Sequence, residues 1–214
     1  MNNWIKTLLL QQFLQRVAEE DAVVAEYGVS ILDCCGGKGG DLKKFFSNTN
    51  RVYMYVLCDI SPQSVQDAIV RFNSTYLHNS TPRVFFCVAD LFRHRLHNIL
   101  DAAVRFDLVS VQFAFHYCFS SEVGVRMMLQ NITDRLRFGG YFVATIPDYR
   151  IIFERLRLHR SNSFGNSIYN LRFNSTIQFL QVCLFPVSVL CLYCVCTVSV
   201  LYLYCVCAVS VLCL

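Results

Sequence analysis

The sequence predicts an α/β fold built on a mostly parallel, doubly wound sheet. Apolar strand-like segments alternate with segments of helical spacing over the first 172 residues. The first strand runs into a glycine-rich loop that opens a helix, and three strands end at an aspartate, namely Asp33, Asp59 and Asp90. Alternation of this kind is typical of a parallel sheet with helices on both faces. Ligands of such sheets bind beyond the carboxyl ends of the strands, so these aspartates are candidate site residues.

The elements follow from hydrophobic spacing and from turn residues. Apolar residues from Trp4 to Val17 recur at helical spacing, and Ser61-Pro62 supplies an N-cap followed by a proline suited to the first helical turn. The pair Gly139-Gly140 is expected to stop a helix before the last strand. The predicted strands are 28–34, 51–59, 83–90, 106–115 and 141–147, and the predicted helices are 3–20, 40–46, 61–72 and 122–137.

Composition and cysteine placement narrow the class of protein. The chain has 214 residues, a net charge of +4 and 12 cysteines, of which seven lie at or beyond residue 183. The earlier cysteines show no C-x-x-C pair, so they are expected to be reduced thiols rather than a disulfide framework. The amino terminus lacks the basic start of a signal peptide. These features favour a protein of a reducing compartment.

The glycine loop and the strand-end carboxylates indicate the kind of cofactor. The stretch DCCGGKGGD is neither a Walker loop nor G-x-G-x-x-G. Asp33 beside the turn would repel a pyrophosphate but suits a ligand that bears an ammonium group. Asp59 lies where an acidic residue accepts hydrogen bonds from ribose hydroxyls, and Asp90 can accept from an adenine amine. An adenosine that carries a cation favours S-adenosylmethionine over NAD.

Several longer stretches then carry a family resemblance over residues 2–173. They are NNWIK (2–6), LDCCGGKGGDL (32–42), CDIS (58–61), FDLVSVQFAFHYCF (106–119), MMLQNITDRLRFGGYFVATIPD (127–148) and SFGNSIYNLRF (163–173). With them the chain resembles the mRNA cap guanine-N7 methyltransferase family. The resemblance implies a Rossmann-like class I S-adenosylmethionine-dependent methyltransferase fold, and transfer of a methyl group to N7 of the cap guanosine.

The strand-end aspartates, the glycine loop and the resemblance together give a set of candidate site residues. The candidate cofactor residues are Lys6, Asp33, Cys35, Gly37, Asp59, Asp90, Gln112 and Tyr117. The candidate cap-binding residues are Asn2, Asn3, Lys38, Lys44, Arg71 and His116. No acid or base is required, because N7 already carries a lone pair, and no metal is expected. Three alternatives stay open: Lys44 and Arg71 as solvated surface charges, and Tyr117 as a core aromatic residue.

The implied setting is that of mRNA processing. The expected partners are the capped 5′ end of mRNA and other components of the capping machinery, and the expected location is the nucleus. Two alternatives remain: a catalytically inactive fragment that at most binds RNA or a capping partner, and a membrane-tethered methyltransferase that acts on a small molecule.

Two features depart from the family pattern. Cys35 stands where the family loop L-D-x-G-x-G-K-G-G-D has its first glycine, which predicts strain if that position has a positive φ. Residues 1–173 are predicted as a partial methyltransferase domain, with the sheet incomplete at its carboxyl end. Residues 174–214 form an uncharged tail with an eleven-residue repeat rich in Val, Cys and Leu. The tail is interpreted as translated repeat DNA, a membrane anchor or a native soluble element.

Overall fold

The computed structural model describes residues 2–47, 50–76, 82–160, 163–165, 170–172 and 204–210. The helices are α1 (Asn2–Glu20), α2 (Ala22–Tyr27), α3 (Leu42–Phe45), α4 (Pro62–Tyr76), α5 (Glu122–Arg135) and α6 (Tyr149–His159). The strands are β1 (Val29–Cys34), β2 (Val52–Asp59), β3 (Arg83–Val88), β4 (Phe106–Gln112), β5 (Leu136–Pro147), β6 (Ser163–Gly165), β7 (Asn170–Arg172) and β8 (Tyr204–Ser210). Two short 3₁₀ helices cover Leu96–Asn98 and Phe115–Ser120.

The main sheet has the strand order β3-β2-β1-β4-β5-β8. Strands β1 to β5 run parallel, and β8 pairs antiparallel with β5 at the edge. The order of the strands reverses between β1 and β4, which makes the carboxyl ends of these two strands the topological switch point. This arrangement confirms the predicted parallel, doubly wound sheet.

The central strands are β1 and β4 because their residues are apolar enough to be covered on both faces. Every residue of VSILDC in β1 and of FDLVSVQ in β4 is buried. Near-continuous burial of this kind is typical of central parallel strands, whereas a half-exposed strand alternates apolar and polar residues. The edge strand β3 does carry exposed side chains, including Phe85 and Val88.

Two apolar layers cover the sheet. On one face, α1 and α4 pack against the sheet through residues such as Leu10, Phe13 and Phe72. On the other face, α5 and the 3₁₀ helix Phe115–Ser120 contribute side chains such as Met128 and Phe115. The loops after β1, β2 and β4 lie at the carboxyl edge of the sheet.

The structure corrects several predicted boundaries. The fourth strand ends at Gln112 rather than at Phe115, because the chain turns at Phe113, which has φ +58°. The helix α5 ends at Arg135 rather than at Arg137, and the glycine pair that was expected to stop it lies within β5. In α1, Trp4 is 65% exposed, so the buried face of this helix begins further along the chain. Helices α2 and α6 were not predicted.

The carboxyl-terminal tail is described only at β8. Its pairing with β5 runs from Tyr141 opposite Ser210 to Pro147 opposite Tyr204. Residues 173–203 and 211–214 lie outside the described residues, so the interpretation of the tail stays a prediction. Among the helices that the structure describes, none is both long enough and apolar enough to cross a membrane.

Candidate active site

The glycine loop after β1 forms the centre of the candidate site. Three of its residues have a positive φ: Cys35 at +56°, Gly37 at +55° and Gly39 at +67°. Side chains of L-residues rarely adopt this left-handed conformation, so glycine suits it and cysteine is strained there. The strain that the sequence predicted at position 35 is therefore present in the structure.

Gly36 is a glycine for a different reason. A Cβ at this position would lie 2.7 Å from Cγ of Leu57 and 2.8 Å from Oδ2 of Asp33. Its N–H donates a hydrogen bond of 3.1 Å to the carbonyl of Cys58, so the loop backbone lies directly against β2. Gly36 permits this close approach but does not take over the left-handed turn, which remains at Cys35.

The Cys35 thiol lies among the carboxylates at the ends of the strands. Burial and the nearby charges of Asp59 and Asp33 raise its pKa to about 12. The thiol is therefore protonated and neutral at pH 7, and it adds sulfur and Cβ volume to the loop without adding charge.

Asp33 lies beneath the loop and is buried. Its Oδ2 accepts a hydrogen bond of 2.7 Å from the Tyr55 hydroxyl. Burial, with a smaller contribution from the charge of Asp41, raises the pKa of Asp33 to about 7. A carboxylate held in this way gains from a nearby cation, which agrees with the predicted preference for a ligand with an ammonium group.

Asp59 joins the glycine loop to the end of β2. Its Oδ2 accepts from the N–H of Gly37 at 2.8 Å, and its Oδ1 accepts from the N–H of Ser61 at 2.9 Å. A Cβ at Gly37 would have only this carboxylate nearby, at 4.0 Å, so the space beside the loop is open. The arrangement leaves a carboxylate with fixed orientation facing an uncrowded loop.

Asp90 follows β3 and is oriented by the turn that it begins. Its Oδ1 accepts from the N–H of Phe92 at 3.0 Å, and its Oδ2 lies 3.5 Å from Nε of the exposed Arg93. The carboxylates of Asp33, Asp59 and Asp90 therefore all lie at the carboxyl edge of the sheet, at the ends of three adjacent strands. The predicted strand end at Asp90 is wrong, because β3 ends at Val88 and Asp90 begins the turn after it.

The Gln112 side chain is buried and hydrogen-bonded to neighbouring residues of the sheet. Its amide nitrogen donates to Oγ of Ser110 at 3.1 Å, and its carbonyl oxygen accepts from Oγ1 of Thr145 at 3.1 Å. In this structure the Gln112 side chain holds the ends of β4 and β5 together. Its predicted cofactor contact thus involves a side chain that is already engaged within the sheet.

His116 and Tyr117 form an aromatic pair on the 3₁₀ helix after β4. Their ring centroids lie 4.2 Å apart, and Tyr117 is 62% exposed. The alternative that Tyr117 is a core aromatic is therefore wrong. Burial lowers the pKa of His116, which is half-buried, and its buried Nδ1 atom has no hydrogen-bond partner in the described part of the chain. The pair offers an uncharged aromatic surface made of two rings tilted by 40°.

The start of α1 contacts the helix after the loop through buried charges. Nζ of Lys44 lies 2.6 Å from Oδ1 of Asn3 and 2.8 Å from Oδ1 of Asp41. Lys6 also contacts Asp41, at 2.8 Å. Lys44 is only 6% exposed, so the alternative that it is a solvated surface charge is wrong. Asn2 begins α1, but its side chain lies outside the described residues.

Two further predicted cap residues lie on the surface beside the loop. Lys38 is exposed and forms an ion pair of 3.0 Å with Asp67 on α4. Arg71 lies one helical turn after Asp67 and is exposed. The hydrogen bond from Lys38 is the main cause that lowers the pKa of Asp67, and the charge of Arg71 adds a smaller contribution. The site therefore combines a carboxylate-rich centre with a basic rim.

Two residues of the site were missed by the sequence reasoning. Asp41 is the common partner of Lys6 and Lys44, and only its position directly after the glycines could have drawn attention to it. Phe113 carries a positive φ, and Nζ of Lys6 lies 5.7 Å from its ring centroid. Its location between a buried strand and the HY pair was the available signal.

A parallel sheet with a left-handed glycine loop and carboxylates on successive strand ends defines an α/β domain of the nucleoside-cofactor-binding class. Among the described residues, no group of three or more His, Cys, Asp or Glu side chains is placed to hold a metal ion. Residues 1–188 match the family model described as the mRNA (guanine-N(7))-methyltransferase domain. This chain belongs to that family.

Individual relatives support the same assignment. The chain is 37% identical over 179 residues to the mRNA cap guanine-N(7) methyltransferase 1 of Arabidopsis thaliana, covering 81% of this chain and 45% of the relative. It is 33% identical over 184 residues to the mRNA cap guanine-N(7) methyltransferase of Drosophila melanogaster, covering 81% of this chain and 42% of the relative. The chain thus spans less than half the length of these curated relatives.

Among solved structures, the chain is similar to an S-adenosylmethionine-dependent methyltransferase from Clostridium acetobutylicum. The similarity covers 73% of this chain and 56% of the other, with 17% sequence identity and a TM-score of 0.49. A likeness of this size bears on neither substrate nor mechanism.

Proposed function

We propose that this chain transfers a methyl group from S-adenosylmethionine to N7 of the guanosine cap of mRNA. The observation that carries the proposal is the family match over residues 1–188, which includes the glycine loop and all three strand-end aspartates. The activity is a proposal because the chain spans less than half of its relatives.

The residues at the carboxyl edge of the sheet suit S-adenosylmethionine. Asp59, fixed by Gly37 and Ser61, would accept hydrogen bonds from the ribose hydroxyls, and Asp90 would accept from the adenine amine. Asp33 would face the positively charged end of the cofactor. When bound, the cofactor supplies an electrophilic methyl group on a sulfonium.

The proposed reaction needs positioning rather than proton transfer. N7 of guanine carries a free lone pair, so no residue has to remove a proton before the attack. The chain's contribution is to hold the base in line with the methyl group and to keep water out. The neutral imidazole of His116 beside Tyr117 offers a stacking surface that does not repel the positive charge that develops on the methylated guanine.

The basic rim suits the triphosphate of the cap. Lys38 and Arg71 are exposed, so their charges can reach phosphate oxygens. Asn2, Asn3 and Lys44 remain proposed cap contacts, with Lys44 supplying its charge from a buried position. We also propose RNA binding, a nuclear location and contact with other capping components, which follow from the same assignment.

The test is methyl transfer by the full chain. Binding of S-adenosylmethionine is measured by calorimetry, and transfer of radiolabelled methyl is measured on RNA with a GpppG cap. Nuclease digestion and chromatography should yield m7GpppG. RNA with an m7GpppG cap and uncapped RNA are the controls and should accept no label.

Three outcomes separate the possibilities. Label in m7GpppG supports the proposal. Cofactor binding without transfer would support the alternative of an inactive fragment. Failure to bind S-adenosylmethionine by a chain whose circular dichroism shows a folded α/β domain would overturn the proposal.

A further inference from the structure

Three cysteines lie side by side on one face of the sheet. Cys34 on β1 is the register partner of Cys58 on β2, and Cys58 is the register partner of Cys87 on β3. Residues paired in register on parallel strands point to the same face. The face is the one that Cys34 and Cys58 share with the α5 layer, and Cys87 packs against it.

The spacing of Cys58 and Cys87 suits a disulfide. Neighbouring strands lie about 4.8 Å apart, and disulfides join Cα atoms that are about 4.4–6.8 Å apart. The two side chains are close enough to influence each other, since the Cys58 thiol is the main cause that lowers the pKa of Cys87. Closing the bond would therefore require a change of side-chain rotamers and not a movement of strands.

The two thiols differ in reactivity and in exposure. Cys87 is half-buried on the edge strand β3, beside the exposed Phe85, whereas Cys58 and Cys34 are buried. The hydrogen bond from Cys58 lowers the pKa of Cys87 to about 7. Burial raises the pKa of Cys34 well above its ordinary value, so Cys34 does not compete as a nucleophile.

We propose that Cys58 and Cys87 are an oxidisable dithiol that a peroxide converts to a disulfide. The Cys87 thiolate attacks one oxygen of hydrogen peroxide, the O–O bond breaks, and a sulfenic acid and, after protonation of the hydroxide, water result. The Cys58 thiol then attacks the sulfenic sulfur, which forms the S–S bond and releases a second water. Two thiols and one peroxide thus give one disulfide and two waters. The inference does not depend on the proposed methyl transfer.

Peptide mapping can test the pair without ambiguity. Trypsin cleaves after Arg51, Arg71, Arg83 and Arg93, so peptides 52–71 and 84–93 each hold one cysteine. The full chain is treated with equimolar hydrogen peroxide, alkylated with iodoacetamide, digested and measured by mass spectrometry. The expected product is a linked pair of these two peptides, two hydrogens lighter than their sum, at least tenfold above untreated protein and absent after dithiothreitol.

Two substitutions sharpen the result. Cys58→Ser should abolish the linked product and leave Cys87 as a sulfenic acid that dimedone traps. Cys118→Ser is the matched control, because Cys118 is another buried cysteine of the same layer and lies in a different peptide, 106–126. This variant should form the linked product as the original chain does.

Other results would overturn the proposal. One is linkage of peptide 52–71 to peptide 17–38, which holds Cys34 and Cys35. Another is oxidation of Cys87 to sulfinic acid in the unsubstituted chain with no linked product.

Discussion

The backbone N–H of Gly37 donates a hydrogen bond of 2.8 Å to the carboxylate of Asp59. This contact joins the loop after β1 to the end of β2, at a distance of 22 residues along the chain. The same carboxylate accepts from Ser61 at the start of α4. One side chain therefore orients the loop, the strand end and the helix around the candidate site.

Replacing Asp59 should weaken both the loop and the binding of S-adenosylmethionine. In Asp59→Ala the N–H groups of Gly37 and Ser61 lose their acceptor, so the affinity measured by calorimetry should fall at least tenfold. Asp59→Asn keeps one acceptor oxygen and should lie between this variant and the original chain. Asp134→Ala, an exposed acidic residue of α5, is the control and should bind normally. Normal affinity in Asp59→Ala would contradict the role given to this carboxylate.

Cys35→Gly should stabilise the chain. A residue with a Cβ at φ +56° carries strain of about 1–3 kcal/mol. Glycine relieves this strain but has greater entropy in the unfolded chain, so the net gain in the free energy of unfolding should be about 1 kcal/mol. Urea denaturation measures it, and S-adenosylmethionine should also bind more tightly.

Cys35→Ala separates strain from the effect of the thiol. Alanine removes the sulfur but keeps the Cβ, so this variant should show little of the gain. Equal stabilisation by alanine and glycine would mean that crowding by the sulfur, and not the backbone conformation, is the cost at position 35.

Lys44→Met should destabilise the fold through the buried charge of Asp41. Loss of the Lys44 ammonium leaves Asp41 with Lys6 as its remaining charge partner among the described residues. Breaking a buried ion pair costs about 3 kcal/mol. Lys43→Met, on the exposed side of α3, should change the free energy of unfolding by less than about 0.5 kcal/mol. Equal effects of the two substitutions in urea denaturation would contradict the buried network.

Asp33 should make stability depend on pH. Burial raises its pKa from 3.8 to about 7 in the fold, so the folded chain holds a proton that the unfolded chain releases near pH 4. The contribution of this group is fully present below about pH 4 and is lost as the pH rises to about 7. Asp33→Asn cannot ionise and still accepts from Tyr55.

The comparison of the two chains isolates this effect. As the pH rises from 4 to 7, the free energy of unfolding of Asp33→Asn should increase relative to that of the original chain. Above pH 8 the difference between the two should stay constant. A difference that stays constant between pH 4 and pH 7 would contradict the raised pKa of Asp33.

Hydrophobic patterning predicted the sheet well but its loops poorly. Strands β1 to β5 could be predicted from apolar runs, because a buried parallel strand is composed of nearly continuous apolar residues. The turn at Phe113 was not predicted, since its positive φ is supported by hydrogen bonds from its N–H to Thr145 on β5, 32 residues away. The exposure of Trp4 was missed because helical spacing gives the period of a face but not where the sheet ends beneath it.

The site shows the same division. The order of Asp33, Asp59 and Asp90 along the chain, with one strand each, was enough to place them on one edge, because parallel strands end together. The engagement of Gln112 with Ser110 and Thr145 could not be read from sequence, since it depends on the neighbouring strand. The same holds for Asn131 of α5, whose buried amide accepts from the N–H of Leu96 and donates to the carbonyl of Leu91, holding the segment after β3.

The sequence by itself determined the family, the parallel sheet, and the glycine loop with its cysteine. These depend on residue types in a local order, which is directly visible in the chain. Only the tertiary structure decided that Cys35 adopts a left-handed backbone, that Lys44 is buried against Asp41, and that Cys58 faces Cys87. Each of these depends on how distant segments pack, because burial and contact distance belong to pairs of elements and not to any one of them.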